Sequence, residues 1–255
     1  MGGHLPRGHE QDLPSEQDRR PVTRCSAARC GGGPLVLADA LPYVASDAVL
    51  LAVVDPSVGK DRDVAVQTGD GRLLVGPHNG LLSLAWGALG GPSVAVEITS
   101  ADVILQPVAP SLHARDVLSP AAAHIAAGRP LEQLGSAIDP DGLAALSLPE
   151  AEVEEGRISC EVLDLNRFGN AQLNVREAQL AASGLDGSAE LAVESTSGST
   201  RARRVATYAD LEPGEYGVMI DPRGWLAVIR GNPGNAAEGL AIQSGDPVWI
   251  YDPSR

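Results

Sequence analysis

Aromatic side chains, cysteines and basic clusters are all scarce in this sequence of 255 residues. Aromatic residues make up 3% of the chain, so the apolar 44% consists chiefly of Ala, Val, Leu and Ile. The chain also has 29 glycines and 19 prolines. This composition favours short strands joined by tight turns, together with some alanine-rich helix.

The shortage of basic residues excludes several classes of partner. The chain has only 19 Lys and Arg but 33 Asp and Glu, which gives a formal net charge of -14. Its longest basic cluster is residues 201–204. An acidic chain repels phosphate backbones, so we predict no nucleic-acid partner. No apolar run reaches the ~18 residues of a membrane helix, and the N-terminus lacks the apolar core of a signal peptide. We therefore expect a cytoplasmic protein without membrane contacts.

Cysteine chemistry is not expected. The three cysteines, Cys25, Cys30 and Cys160, are odd in number. They form no CxxC motif, and no pair of histidines lies near them in the sequence. Free thiols in a reducing compartment fit this pattern better than a disulfide or a zinc site. We predict no metal site.

The character of the sequence changes twice along the chain. Residues 1–33 are polar and lack periodicity, so they are interpreted as a disordered leader. Residues 34–149 mix apolar strands with helices, which indicates an α/β domain. Residues 150–255 contain short alternating segments broken by Gly, Pro and Asn, which is typical of a small all-β, barrel-like domain.

In the α/β domain, the continuous apolar segment at residues 48–54 predicts a strand that is buried on both faces. Such a strand belongs in the middle of a mostly parallel sheet with flanking helices. A helix is expected at residues 120–127, with Ser119 as its cap and Pro120 in the first helical position. The other strands are predicted at residues 64–68, 73–75, 94–98, 157–165, 189–193, 203–208, 217–220, 225–229 and 247–251.

Four polar segments interrupt these elements. Residues 54–62 follow the buried strand at its carboxyl end, where open α/β sheets bind ligands. Residues 76–82 form a tight turn, residues 111–116 carry a lone histidine, and residues 166–174 place the single Phe of the chain among polar side chains. Each segment taken alone is also compatible with a surface turn or a structural role.

Together and in this order, the four segments resemble the signatures of the S-adenosyl-L-methionine (SAM) hydroxide adenosyltransferase family, whose relatives include fluorinase and chlorinase enzymes. Those signatures are V-D-P-G-V-G-x-x-R, G-P-D-N-G-L-L, F-H-G-R-D and D-R-F-G-N-x-x-x-N, and the resemblance covers residues 34–252. It implies hydrolysis of SAM to adenosine and L-methionine by attack of water on ribose C5′, without any cofactor.

The resemblance also implies the site residues. Asp55, Arg62 and His113 would form a triad that orients and activates water. Asn166 and Asn170 would hold the amino-acid part of SAM. The implied substrate-binding residues are Asn79, Asn166, Phe168, Asn170, Pro222 and Arg223. Family members are trimers with the site between the N-terminal domain of one subunit and the C-terminal domain of the next, so a homotrimer is expected here.

The chain departs from the family pattern at several positions. Nothing in residues 1–33 matches the family's T-D-F-G-like strand, whose Asp binds the ribose hydroxyls, so the first βαβ unit is expected to be missing and the member truncated or rearranged. Asn166 stands where the family has Asp, which replaces a charged partner for the substrate ammonium and weakens binding by ~1–3 kcal/mol. The other changes are Ser57 for Gly, His78 for Asp, Leu112 for Phe, Ala114 for Gly and Pro222 for Ser.

Three alternatives remain open. A SAM-dependent halogenase is disfavoured because the halogenating relatives place Tyr-Ser where this chain has His113 and Ala114. A non-catalytic homologue would bind SAM or adenosine without cleaving it. Residues 231–248 resemble the end of a PDZ-like peptide-binding module, although no carboxylate-binding loop precedes them.

Overall fold

The computed structural model describes residues 32–56 and 58–254. Cys25, Cys30, Ser57 and nearly all of the leader predicted for residues 1–33 lie outside the described residues. In the described part of the chain, no helix is both long and apolar enough to cross a membrane.

The first part of the chain folds into a five-stranded mixed sheet with the order β1-β3-β2-β4-β5. Strand β1 is parallel to β3, and the other three pairs are antiparallel. The prediction of a mostly parallel sheet is wrong, because only residues 69–72 connect β2 to β3 and a parallel pair needs a crossover of about a dozen residues. The strands are β1 (Val49–Leu51), β2 (Asp63–Thr68), β3 (Leu73–Pro77), β4 (Pro92–Ile98) and β5 (Gly135–Ile138).

The apolar segment at residues 48–54 does not form the central strand that its composition predicts. Only Val49–Leu51 is strand, and β1 pairs with β3 alone among the described residues. Its continuation is also accessible, since Val53 is 40% exposed and Val54 is 38% exposed.

Helices cover both faces of this sheet. Alternate side chains of a strand point to opposite faces, so Val64 and Val66 pack against Trp86 of α2 on one face, whereas Ala65 packs with Val117 on the other. The helical elements are α1 (Gly33–Ala40), a 3-10 turn (Leu41–Tyr43), α2 (Ser83–Ala88), a π-helical turn (Ala114–Leu118), α3 (Ser119–Ala126) and two further 3-10 turns (Leu131–Gln133 and Pro140–Gly142).

Ser119 does not cap α3 as the sequence predicts. Helix α3 continues directly from the π-helical turn, so its first N–H groups already have partners in the preceding turn. The Ser119 hydroxyl instead donates to the Ala114 carbonyl oxygen at 2.6 Å. The helix ends before Gly128, whose φ of 90° is the left-handed conformation that glycine tolerates.

The second part is a closed barrel of seven strands in the order β13-β9-β10-β11-β12-β8-β7, which closes through the β13–β7 pair, with β6 paired to β7 outside the ring. Within the ring only β10 and β11 run parallel. The strands are β6 (Glu152–Glu154), β7 (Arg157–Leu165), β8 (Ala171–Arg176), β9 (Glu190–Ser195), β10 (Gly198–Arg204), β11 (Tyr216–Ile220), β12 (Trp225–Arg230) and β13 (Pro247–Tyr251); the helical elements are α4 (Glu177–Ala182), a 3-10 turn (Tyr208–Asp210) and α5 (Ala236–Leu240).

The barrel corrects two sequence interpretations. The strand predicted at residues 203–208 ends at Arg204, and Tyr208 begins a 3-10 turn. The PDZ-like interpretation fails because β13 pairs with β7 on one side and with β9 on the other, so it has no free edge for a peptide strand. Cys160 lies in the barrel core, where burial raises the pKa of its thiol to about 12.

The α/β part and the barrel pack against each other. Leu35 from α1 forms an apolar cluster with Leu163 of β7 and Trp225 of β12. An ion pair lies beside this cluster, between Arg223 Nη1 and Asp39 Oδ2 at 3.3 Å.

Candidate active site

His113 and Asp63 form a close pair between the end of one loop and the start of a strand. His113 immediately precedes the π-helical turn, and Asp63 is the first residue of β2. His113 Nδ1 lies 2.7 Å from Asp63 Oδ2. With the carboxylate ionised, Nδ1 carries the proton and donates it, so Nε2 of the neutral ring keeps its lone pair.

The Asp63 carboxyl lies in an unusual electrostatic environment. The residue is only 7% exposed, and its Oδ1 atom is buried without a hydrogen-bond partner among the described residues. Burial, the largest effect, raises the pKa of Asp63 above its ordinary value, whereas the hydrogen bond from His113 lowers it. The negative charges of Asp55 and Asp61 raise the pKa further.

Asp55 and Arg62 flank the loop between β1 and β2. Asp55 is half-buried and lies near enough to Asp63 for its charge to act on that carboxyl. Arg62 directs Nη1 toward Glu97 Oε2 of β4 at 3.7 Å, and its side chain is 43% exposed. An exposed pair of this kind stabilises little, so the Arg62 guanidinium can exchange this partner for a ligand at small cost.

A close backbone approach joins this loop to the segment that carries His113. Gly59 has a φ of 80°, and a Cβ atom at this position would lie 2.8 Å from the Pro110 carbonyl oxygen. Only glycine fits both the conformation and the space. The first and third sequence motifs are therefore neighbours, as a shared site requires.

The second motif, at residues 76–82, contacts the backbone of the first, at residues 54–62. Asn79 Nδ2 donates to the Val54 carbonyl oxygen at 2.9 Å, and Asn79 Oδ1 accepts from the Leu81 N–H at 3.1 Å. The side chain thus holds the backbone just before Asp55. The neighbouring His78 accepts the Ala144 N–H on Nε2 at 2.8 Å, and burial together with the positive charge of Arg62 lowers the pKa of His78.

The fourth motif forms a tight polar turn on the barrel. Asn166 Oδ1 accepts the N–H groups of Phe168 and Asn170 at 2.9 and 3.1 Å. Gly169 is required within this turn, because it has a φ of 78° and any Cβ atom there would overlap the Asn235 side chain. The turn leaves the Phe168 ring 62% exposed beside a cavity.

Two adjoining cavities open on this side of the barrel. Both are lined by Asn166, Asn170 and Tyr208, and Asn170 Nδ2 donates to the Tyr208 hydroxyl at 3.3 Å. The larger cavity, of about 480 Å³, is also lined by Phe168, Arg230, Asn232 and Gly234. The smaller one, of about 150 Å³, is also lined by Asp164, Gln172, Asp221, Pro222, Arg223 and Ala227.

Arg223 belongs to the smaller cavity and to the contact between the two parts of the chain. Its Nη2 donates to Gln172 Oε1 at 2.5 Å, its Nε donates to Asp221 Oδ2 at 3.1 Å, and its Nη1 faces Asp39. Its carbonyl oxygen accepts Arg176 Nη1 at 2.7 Å. The guanidinium is thus occupied by protein groups and positions the turn that carries Pro222.

The structure therefore brings the predicted site residues together in two groups. Asp55, Arg62 and His113 lie on neighbouring segments of the α/β part, and none of the three lines either barrel cavity. Sequence reasoning missed Asp63, although a charged residue that opens an otherwise apolar strand was a usable signal. It also missed Tyr208, Arg230 and Asn232 of the barrel, which lie outside the four motifs.

Comparisons with known proteins link both groups to one family. Residues 24–135 match the family model of the SAM hydroxide adenosyltransferase N-terminal domain, and residues 160–249 match that of the C-terminal domain. The chain is 43% identical over 224 residues to an (R)-S-adenosyl-L-methionine hydrolase of Salinispora tropica, with 86% of this chain and 80% of the relative covered. It is 35% identical to the protein of that name from Thermus thermophilus, with 84% and 80% covered.

A more distant relative and two solved structures are also similar to this chain. A fluorinase of Actinopolyspora mzabensis is 26% identical, with 76% of this chain and 70% of the relative covered. The crystal structure of an uncharacterized conserved protein from Thermotoga maritima superposes with a TM-score of 0.75 at 26% identity, covering 86% of this chain and 83% of that chain. A conserved hypothetical protein from Thermus thermophilus superposes with a TM-score of 0.64 at 34% identity, covering 86% and 80%.

Proposed function

This chain belongs to the SAM hydroxide adenosyltransferase family, and from that membership we infer that it is an enzyme that hydrolyses SAM. We propose that water attacks ribose C5′ and that the products are adenosine and L-methionine. The observation that carries this proposal is the His113 imidazole, which a buried carboxylate holds at 2.7 Å through Nδ1. No hydrogen bond from the described residues occupies its Nε2 atom.

The chemistry needs an activated nucleophile more than an acid. A sulfonium leaves C5′ as a neutral thioether and takes the bonding electron pair with it, so the leaving group requires no proton. Water must lose one proton as its oxygen bonds to C5′, and His113 Nε2 accepts it. Arg62 is proposed to orient the water and to stabilise its developing negative charge, and Asp55 is proposed to complete the triad.

The barrel is proposed to bind the substrate. Asn166 and Asn170 would hold the amino-acid part of SAM, Phe168 would pack beside it, and the turn at Pro222 and Arg223 would contact adenine, largely through backbone groups. The exposure of Phe168 and the two adjoining cavities support this assignment. Asn79 is retained as a substrate-binding candidate, although both ends of its amide already bond to the backbone.

We further propose a homotrimer in which the triad of one subunit faces the barrel of the next. The separation of the two groups within one chain supports this arrangement, since neither barrel cavity is lined by the triad. We also expect the enzyme to be cytoplasmic, where SAM is available, and to need no cofactor.

Incubation of the purified protein with SAM in ¹⁸O-labelled water tests the reaction directly. We expect adenosine that carries ¹⁸O at the 5′ position, together with one equivalent of L-methionine, by chromatography and mass spectrometry. Unlabelled adenosine would contradict attack by water at C5′. If the protein binds SAM but forms no more adenosine than a His113→Ala variant, the non-catalytic alternative holds instead.

A halide competition decides the halogenase alternative. The same incubation with excess chloride or fluoride should give no 5′-halogenated nucleoside, because His113 and Ala114 stand where the halogenating relatives place Tyr-Ser. Formation of a 5′-halo-5′-deoxyadenosine would support that alternative.

A further inference from the structure

We propose that Asp63 is the positioning residue for His113, which holds the imidazole in the tautomer that can accept a proton from water. This role rests on the proposed SAM hydrolysis. It lies outside the triad that family resemblance assigns, because the resemblance places the carboxylate at Asp55.

Asp63 and His113 are held in hydrogen-bonding position by the sheet. Asp63 opens β2, and its backbone is fixed by pairing with Pro77 of β3. Its Oδ2 atom lies 2.7 Å from His113 Nδ1, a distance typical of a charge-assisted hydrogen bond. A side chain at the end of a central strand orients its partner better than one on a loop does.

The packing of β2 does not require a carboxyl group at position 63. The next three residues of β2 are Val64, Ala65 and Val66, which are all fully buried apolar side chains. Burial raises the pKa of Asp63, which means that its ionised form is disfavoured there. The hydrogen bond from His113 lowers the pKa of Asp63 and so offsets part of that penalty.

Other charged groups also lie near the Asp63–His113 pair. Asp116 lies near His113, but Arg115 and the Ala109 N–H already engage both of its oxygens. Asp55 and Asp61, on the loop between β1 and β2, act on Asp63 through their charges.

The proton inventory follows from this geometry. The Nδ1–H group stays hydrogen-bonded to Asp63 throughout the reaction. The water oxygen forms a covalent bond to C5′ as the C5′–S bond breaks, and Nε2 takes one proton from the water. The imidazolium that results is stabilised by the Asp63 negative charge and then releases its proton to solvent. A neutral residue at position 63 would keep the space filled but lose that stabilisation and leave the tautomer unspecified.

The first test compares Asp63→Asn with Asp61→Asn, which removes a nearby negative charge without touching His113. We expect Asp63→Asn to lower kcat by roughly 10- to 100-fold with KM for SAM changed less than about threefold. Asp61→Asn should stay within about threefold of the unaltered enzyme. Equal activity of Asp63→Asn and Asp61→Asn would overturn the inference while leaving SAM hydrolysis intact.

A double-mutant cycle separates positioning from a merely structural role. Asp63→Asn should have no further effect on kcat when His113 is already Ala, because the two residues act as one unit. Full additivity of the two substitutions in kcat contradicts the proposal.

A measurement on the unaltered protein keeps the test decisive if Asp63→Asn does not fold. Nitrogen-15 histidine NMR, assigned by comparison with His113→Ala, should show neutral His113 protonated on Nδ1 and bare on Nε2. The opposite tautomer would overturn the inference. If neither the unaltered protein nor His113→Ala forms adenosine, the proposed function fails. The tautomer of His113 still shows whether Asp63 accepts its Nδ1 proton.

Discussion

The two groups of candidate site residues solve different physical problems. In the α/β part, the central contact is between ionisable side chains, since a buried carboxyl at Asp63 lies 2.7 Å from His113 Nδ1. On the barrel, the turn at residues 166–170 is neutral, and its amide oxygen is satisfied by backbone N–H groups. This difference fits the proposed division of roles, in which the first group transfers a proton and the second binds and orients the substrate.

The largest expected effect comes from removing the proton acceptor. His113→Ala should lower kcat by about 10²- to 10⁴-fold, which is the range that general base catalysis contributes. Calorimetric titration with SAM should give a dissociation constant within about threefold of the unaltered protein, because the barrel is proposed to bind the substrate. A large loss of SAM affinity would show that the two groups do not divide the work in this way.

Subunit complementation tests whether the two groups meet between chains. His113→Ala and the barrel double variant Asn166→Ala/Asn170→Ala should each be nearly inactive at low SAM concentration. In each mixed trimer, about one site in three should combine an intact His113 with an intact barrel turn and recover activity. No recovery in trimers shown to be mixed by mass spectrometry would place the complete site within one chain.

A smaller effect is expected from adding charge to the barrel turn. Asn166→Asp keeps an oxygen that can accept both backbone N–H groups and adds a negative charge for the substrate ammonium. We expect KM for SAM to fall by about tenfold with little change in kcat. Adenosine, which lacks the amino-acid part, should bind both proteins equally, so a parallel change in adenosine affinity would contradict the assignment.

The smallest effect concerns acid stability. Three donors, the Arg115 Nε and Nη2 groups and the Ala109 N–H, hold the pKa of Asp116 down at about 2. A depressed carboxyl pKa adds stability that is fully present above the unfolded value of 3.8 and is lost as the pH falls through about 2. The midpoint temperature of thermal unfolding should therefore fall less steeply between pH 5 and pH 2 in Asp116→Asn than in the unaltered protein.

Glu215 is the matching carboxylate of the barrel. The Arg203 side chain and the Glu212 N–H lower the pKa of Glu215 to about 2. Glu215→Gln should likewise reduce the fall of the unfolding midpoint temperature between pH 5 and pH 2. If neither Asp116→Asn nor Glu215→Gln changes the slope, these contacts do not contribute to stability in solution.

Much of the architecture was predictable because its signals are local. The limits of β7 and β13 match the segments predicted at residues 157–165 and 247–251, since period-2 patterning and flanking turn residues define such strands. Strand direction was not predictable in this way. The apolar segment at residues 48–54 is compatible with a central parallel strand or with an edge, and only pairing partners decide between them.

The family and the reaction could be read from the amino-acid sequence, because the motifs keep their residue types and order along the chain. The aspartate, arginine and histidine of the proposed triad, and the asparagine-rich turn of the barrel, are each readable without a structure. The hydrogen bond between His113 and Asp63, fifty residues apart, became visible only in the folded chain. That contact depends on how β2 begins and on how the Gly59 loop packs against Pro110, and neither is encoded in one local segment.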